Sequence, residues 1–230
     1  MIEHGHATHT GLRRAHNEDT YRADAEHGLW LVADGMGGHA RGEVASALAI
    51  DAVVTALDAG IGMADAFRRA GAAILAHPGQ RSASTPMGST LAALKFDASN
   101  GYELAWIGDS RIYLWQHGSL LRVSPAMATG ESDPDATEPR PTTPRNRATQ
   151  ALGITPTLEL DIEPVSGRCT PGMQFLLCSD GLTEELDDTR IAAIVSRTDL
   201  AAQECVDHLV LAALDAGGRD NITVVLVRFK

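Results

Sequence analysis

Residues 89–123 read STLAALKFDASNGYELAWIGDSRIYLWQHGSLLRV. Runs rich in aliphatic and aromatic residues (89–96, 102–107, 111–115 and 119–123) alternate with clusters of turn formers: Ala98-Ser99-Asn100-Gly101, Gly108-Asp109-Ser110 and His117-Gly118. Such short connections join antiparallel neighbours, whereas parallel strands need a long crossover. The stretch therefore predicts an antiparallel meander. Upstream, the period becomes that of a helix. In 42–58 the apolar positions are Val44, Ala45, Leu48, Ala49, Ala52, Val53 and Ala56, and in 63–76 they are Ala66, Phe67, Ala70, Ala73 and Ile74. Each set lies on one helical face. Two helices followed by hairpin-linked strands do not make a βαβ alternation. They predict an α+β fold in which helices cover antiparallel sheets.

The remaining segments fit that frame. Residues 2–9 read as a first strand, whose His4, His6 and His9 are expected to be solvated, and 29–33 as a buried strand. Further strands are expected at 158–164, 173–178 and 222–229, with helices at 188–195 and 200–216. Residues 125–146 hold five of the ten prolines among small polar residues. A segment of that composition buries too little surface to order itself, so a short mobile loop is expected inside one domain spanning 1–230.

Composition excludes several functions. A net charge of −11 argues against nucleic-acid backbone or an anionic membrane as partner. The three cysteines, Cys169, Cys178 and Cys205, form no C-x-x-C pair, which argues against a disulfide framework or a zinc site. No secretory signal pattern and no span-length apolar run are present, so a soluble cytoplasmic protein is expected.

The strand at 29–33 runs into Asp34-Gly35-Met36-Gly37-Gly38-His39. Alone, Asp-Gly after a strand equally marks a tight turn. Yet the pattern recurs at Gly108-Asp109, Asp180-Gly181 and Gly218-Arg219-Asp220. Strand ends converging at one sheet edge would gather oxygen ligands there, and oxygen ligation selects magnesium, manganese or calcium over zinc. Sharing one aspartate between two ions gives a dinuclear site suited to phosphoryl chemistry. The polar cluster Gly11 to Asp19 places Arg13 and Arg14 close to Glu18 and Asp19, which suits a site that holds both an anion and a cation.

Taken in order, Arg14-Ala15-His16-Asn17-Glu18-Asp19, Asp34 to His39, Gly108-Asp109-Ser110-Arg111, Ser179-Asp180-Gly181-Leu182-Thr183 and Arg219-Asp220-Asn221 closely resemble the motif series of the metal-dependent protein phosphatases (the type 2C Ser/Thr phosphatases), in their bacterial branch. The resemblance implies a four-layer α-β-β-α sandwich. It implies two Mn²⁺ or Mg²⁺ ions bridged by Asp34, with Asp180 and Asp220 completing the first, and Glu18 and the Gly35 carbonyl holding the second. Asp19 would act through water, Asp109 with Asp180 would form a third, weaker site, and Arg14 would grip the substrate phosphate. Hydrolysis of phosphoserine and phosphothreonine would proceed by direct attack of a metal-bridging hydroxide. His39 stands equally for general acid and for a supporting role. Ser110, Arg111 and Asn221 are expected to support neighbouring aspartates, and Cys178 to be a buried strand residue. The family's Asp-His pair and helical flap are replaced here by Val123-Ser124-Pro125 and the proline-rich loop.

The implied partner is a phosphorylated Ser/Thr protein, including a Hanks-type kinase of the kind that works beside type VI secretion, and the implied enzyme is a monomer. Two other functions compete. One is a non-catalytic phospho-binding module on the same fold, which would be expected to have lost ligands. The other is a phosphodiesterase or nuclease, which the acidic balance disfavours.

Overall fold

Strand Leu29–Met36 (β3) sends Leu29, Leu31 and Ala33 to one side and Trp30 and Val32 to the other, and all five are buried. A strand that is apolar on both faces must be covered on both. The computed structural model describes residues 1–37, 41–81, 86–124 and 150–230, and it shows how each face is covered. Leu29, Leu31 and Ala33 cluster with Ala45, Ala49 and Val53 of helix Arg41–Asp58 (α1) and with Phe67 and Ile74 of helix Met63–Ala76 (α2). Trp30 and Val32 cluster with Ile112, Leu114, Phe175, Leu177, Val225 and Val227 of a second sheet.

The first sheet has the order β2-β3-β5-β6-β9: Asp19–Asp24 (β2), β3, Leu91–Phe96 (β5), Gly101–Ile107 (β6) and Val165–Arg168 (β9), with Gly88–Ser89 (β4) pairing the end of β3. The second has the order β1-β11-β10-β7-β8: Ile2–His9 (β1), Ile222–Phe229 (β11), Gln174–Cys178 (β10), Arg111–Gln116 (β7) and Ser119–Arg122 (β8). All named pairings are antiparallel. The outer face of the second sheet, with Leu176, Cys178, Val224 and Leu226, packs on Ile191 and Val195 of Asp188–Val195 (α5) and on Cys205 and Leu209 of Ala202–Ala216 (α6). Helices Pro78–Arg81 (α3) and Asp180–Thr183 (α4) are single turns. The layers run helix, sheet, sheet, helix. Between the sheets Phe96 meets Trp30 at 5.2 Å and Phe175 at 5.6 Å, both edge-on.

Three expectations need correction. Of the histidines in β1 only His9 is exposed; His4 and His6 are half-buried, His4 against Trp30 and His6 hydrogen-bonded to Tyr21 Oη at 3.0 Å. Residues 89–123 are not one meander, because β5 and β6 pair in the first sheet and β7 and β8 in the second. Gly108-Asp109-Ser110 is the corner where the chain changes sheets. Gly108 has φ 87°, and a Cβ there would lie 2.6 Å from Thr90 Cγ2, so the corner demands glycine as a hairpin turn would. Residues 158–164 do not form a strand; Thr157–Glu159 is one 3-10 turn, followed by irregular chain. Leu160 and Ile162 alternate because both pack into the α1–α2 cluster, and the ladder begins only after Pro164. The expected loop at 125–146 lies outside the described residues. All three cysteines are buried and free, and no helix among the described residues is long and apolar enough to cross a membrane.

Because Phe175 is fully buried where the sheets meet, Phe175→Ala is expected to cost about 3–5 kcal/mol of unfolding free energy, while Leu158→Ala, at a side chain 95% exposed, changes it by less than about 0.5 kcal/mol. Urea denaturation of the two variants checks the contrast.

Candidate functional site

The register of β2 against β3 sets Asp19 opposite Asp34. Like charges on facing ladder positions oppose pairing, so this register is costly unless something else binds there. Four more carboxylates stand at strand ends nearby. Glu18 precedes β2, Asp109 lies at the corner between β6 and β7, Asp180 opens α4 directly behind β10, and Asp220 sits just before β11. Asp34 feels the charges of Asp19, Asp180 and Asp109; Asp180 feels Asp109 and Asp220; Asp19 feels Asp220 and Glu18.

Their protonation reflects this crowding. Burial, then Asp19 and Asp180 beside it, pushes the Asp34 carboxyl well above the usual range. Burial, then Asp109, pushes Asp180 up to about 7. Burial pushes Asp19 up to about 6, partly offset by the Thr223 and Ser179 hydroxyls. Asp109 and Glu18 are also raised, chiefly by burial. Asp34 and Asp180 lie close enough for each to perturb the other's protonation. Asp19 Oδ1 and Asp180 Oδ1 are buried with no hydrogen-bond partner. Among the described residues no three His, Cys, Asp or Glu side chains stand ready-gathered to hold an ion. The donor set nevertheless fits a hard divalent cation. It is all oxygen, and its two orphaned oxygens lack the partner that buried polar atoms ordinarily have.

The backbone around the carboxylates is tightly held. Glu18 N–H donates to Asn221 Oδ1 at 2.7 Å, and its carbonyl accepts from Gly35 N–H at 3.1 Å and Ser46 Oγ at 2.7 Å. Asn221 Nδ2 donates to the Thr10 and His16 carbonyls at 2.8 and 2.9 Å, so one side chain ties the whole 10–18 loop to β11. Asn221 thus supports the loop backbone with its side chain, and as expected it also supports an aspartate, its N–H donating to Asp220 Oδ1 at 2.8 Å. A Cβ on Gly35 would lie 2.0 Å from the Gly42 carbonyl oxygen, and one on Gly42 would lie 2.6 Å from Glu18 Cδ. Both glycines are there for close approach: the first turn of α1 rests on the end of β3, and Gly42 N–H donates to the Glu18 carboxylate.

At the rim, the half-exposed Arg14 guanidinium hydrogen-bonds to the Asp220 carboxylate. Arg111 does not support Asp109 by a hydrogen bond. Its guanidinium donates to Tyr113 Oη at 3.1 Å, and Tyr113 donates to Asp188 at 2.7 Å. Ser110 hydrogen-bonds with Thr90, not with an aspartate side chain. Burial pushes the Cys178 thiol up to about 12, so it is inert, as expected of a strand residue. His39 lies outside the described residues.

Three residues were missed. Ser179 Oγ donates to Asp19 Oδ2 at 2.8 Å and accepts from Thr223 N–H at 2.9 Å. Thr90 Oγ1 accepts from Asp34 N–H at 3.0 Å. Glu185, with a side chain 1% exposed, grips Arg219 N–H at 2.9 Å and its Nε at 3.0 Å, which fixes the loop before Asp220. Only Ser179 carried a signal, its place beside Asp180.

The sequence profile of protein phosphatase 2C matches residues 9–213. The chain belongs to the protein phosphatase 2C family. It is 36% identical over 224 residues to the Ser/Thr protein phosphatase PstP of Mycobacterium tuberculosis, covering 94% of this chain but 43% of that one. The chain thus spans less than half the length of that relative. It is 32% identical over 242 residues to the Ser/Thr phosphatase stp of Listeria welshimeri, covering 96% and 93%. Among solved structures, the catalytic domain of PstP in complex with 2 manganese ions superposes with TM-score 0.82 at 31% identity, covering 99% of this chain and 97% of that one. PppA, a key regulatory component of T6SS in Pseudomonas aeruginosa, superposes with TM-score 0.79 at 32% identity, covering 99% and 97%.

For this phosphatase 2C chain the raised carboxyls set a measurable pH dependence. Asp19 and Asp180 titrate at about 6 and about 7 in the fold and near 4 when unfolded. The folded state therefore binds more protons between those values, and the stability they contribute is lost as pH rises through 6–7. In chelator-treated protein, Tm is expected to climb as pH falls from 8 to about 5.5. Asp34→Asn should raise Tm at pH 8 by about 2–8 °C, for a relief of like-charge burial on the order of 1–2 kcal/mol. Scanning calorimetry across that window checks both signs.

Proposed function

We propose that the chain is a metal-dependent Ser/Thr protein phosphatase that removes phosphate from phosphoserine and phosphothreonine in proteins, among them a Hanks-type kinase of bacterial signalling. The observation that carries this reading is the set of six strand-end carboxylates at one end of the sandwich, with buried oxygens left unpaired on Asp19 and Asp180. A phospho-binding module without catalysis has no need of that costly set.

In this reading Asp34, Asp180 and Asp220 would hold one Mn²⁺ or Mg²⁺ ion, and Asp34, Glu18 and the Gly35 carbonyl would hold a second. Asp19 would act through water, and Asp109 with Asp180 would offer a third, weaker site. Bound divalent ions supply acidified water as nucleophile and positive charge against the phosphoryl oxygens. The chain's own residues do the rest. Ser179, Asn221 and Gly42 N–H fix the Asp19 and Glu18 side chains and backbone. Arg14, held at the rim by Asp220, presents a planar fork that matches two phosphate oxygens. His39 is the candidate to protonate the leaving seryl or threonyl oxygen. The manganese complex of the PstP catalytic domain supports the two-ion reading, and PppA supports a partner within type VI secretion. We take the chain as one domain, working as a monomer in the cytoplasm.

In saturating Mn²⁺ the protein is expected to hydrolyse a phosphothreonine peptide, and EDTA should silence it reversibly. Asp34→Asn should lose about 10²–10³ in kcat, the equivalent of several kcal/mol of charge stabilisation. Near-wild-type turnover by that variant would overturn the shared-ligand assignment. Arg14→Ala is expected to raise KM about tenfold with kcat changed less than about threefold, the pattern of lost ground-state binding. Unchanged constants would remove Arg14 from the phosphate site.

A further inference from the structure

Strand β3 is paired on one side by β5 and then by β4, and the register runs straight through. Val32 faces Ala92 and Gly35 faces Ser89, which sets Asp34 opposite Thr90. In a regular antiparallel rung the two residues would exchange both backbone hydrogen bonds. Only one is made, from Thr90 N–H to the Asp34 carbonyl at 2.9 Å. The other is replaced. Asp34 N–H donates instead to the Thr90 side chain, Oγ1, at 3.0 Å. The Thr90 carbonyl so released accepts from Ser89 Oγ at 2.7 Å.

Thr90 itself has little freedom. It is buried, and β-branching leaves few χ1 choices. Its methyl lies against Gly108, where even a Cβ would come within 2.6 Å, and its hydroxyl hydrogen-bonds with the buried Ser110 Oγ at 2.7 Å. Gly108 and Ser110 flank Asp109. One side chain thus touches both sides of the corner that carries Asp109 and holds the peptide of Asp34.

We propose that Thr90 is the positioning residue for Asp34. Its hydroxyl takes the place of a backbone carbonyl in one rung of the sheet, and through Ser110 it fixes Asp34 relative to the Asp109 corner. This inference rests on the reading of Asp34 as a shared metal ligand. Outer-shell partners of this kind are worth about 10–100-fold in metal affinity or activity.

The test compares Thr90→Val, which keeps the shape and removes the hydroxyl, with Thr90→Ser, which keeps the hydroxyl. Mn²⁺ affinity is read by titration calorimetry, and exchange of the Asp34 amide proton by NMR in chelator-treated protein. Thr90→Val is expected to weaken Mn²⁺ binding about tenfold or more, to lower kcat on an aryl phosphate with KM little changed, and to speed Asp34 amide exchange. Thr90→Ser should recover affinity to within about threefold of wild type. Unchanged affinity and exchange in Thr90→Val would overturn the proposal, as would equal losses in both variants tracking an equal fall in Tm. If Thr90→Val does not fold, Ser110→Ala decides in its place: faster Asp34 exchange with weaker Mn²⁺ binding supports the link, and wild-type values overturn it. A wild type that neither binds Mn²⁺ nor hydrolyses phosphate would overturn the phosphatase reading instead, while the exchange rates in cation-free protein would still decide whether Thr90 holds Asp34.

Discussion

Asp19 facing Asp34 across an antiparallel ladder is the contact on which the rest of the structure turns. No fold gains stability by pairing two buried carboxylates. At an effective dielectric near 20, two unit charges about 4 Å apart repel by about 4 kcal/mol. Asp180, Asp109, Glu18 and Asp220 add to that repulsion. The fold meets it in two ways. Protons are retained on carboxyls that would ordinarily be ionised, and hydroxyl or amide donors are brought to the others: Ser179 to Asp19, Gly42 N–H to Glu18, Arg14 to Asp220.

Such a cluster needs a frame that cannot relax away from it, and the four layers supply one. Both sheets are apolar on both faces, so neither can slide without exposing a core. A register shift of one residue would send every side chain to the opposite face. The carboxylates sit where strands leave this frame, and there local contacts take over. The close approach of α1 to β3 through Gly35 and Gly42, the Asn221 tie to the 10–18 loop, and the Glu185 clamp on Arg219 each fix one strand end.

Much of this was legible in the chain. Helical spacing placed 63–76 at the residues where α2 lies, the helix expected at 188–195 is α5, and the repeated Asp-Gly pattern marked strand ends that do converge. What escaped is what local pattern does not encode. Gly108-Asp109-Ser110 reads the same whether the chain reverses within a sheet or crosses to another, because both need a glycine with positive φ. Leu160 and Ile162 alternate like a strand, yet alternation records which side is buried and not whether a ladder exists. Thr90, Ser179 and Glu185 act through partners 56, 160 and 34 positions away, distances that no window of sequence spans. Arg111 beside Asp109 invited an ion pair, but its guanidinium points along β7 to Tyr113 and Asp188.

The electrostatics also impose an order on events. A phosphate dianion approaching this end of the sandwich meets, among the described residues, six carboxylates, and the half-exposed Arg14 at their rim is already paired with Asp220. In a chain of net charge −11, the protein's wider field does nothing to relieve this. A negatively charged ligand is therefore held only after positive charge has entered among the carboxylates, with the retained protons leaving as it does. Because Asp180 keeps its proton up to about 7, a cation held there in the proposed reading would compete with that proton for the same oxygens, and would compete better as pH rises. Once the cluster is neutralised, Asp220 no longer needs Arg14 as its counter-charge. In the proposed function Arg14 grips the phosphate, and there the filling of the cluster would free its guanidinium to turn outward, two ends of one charge balance.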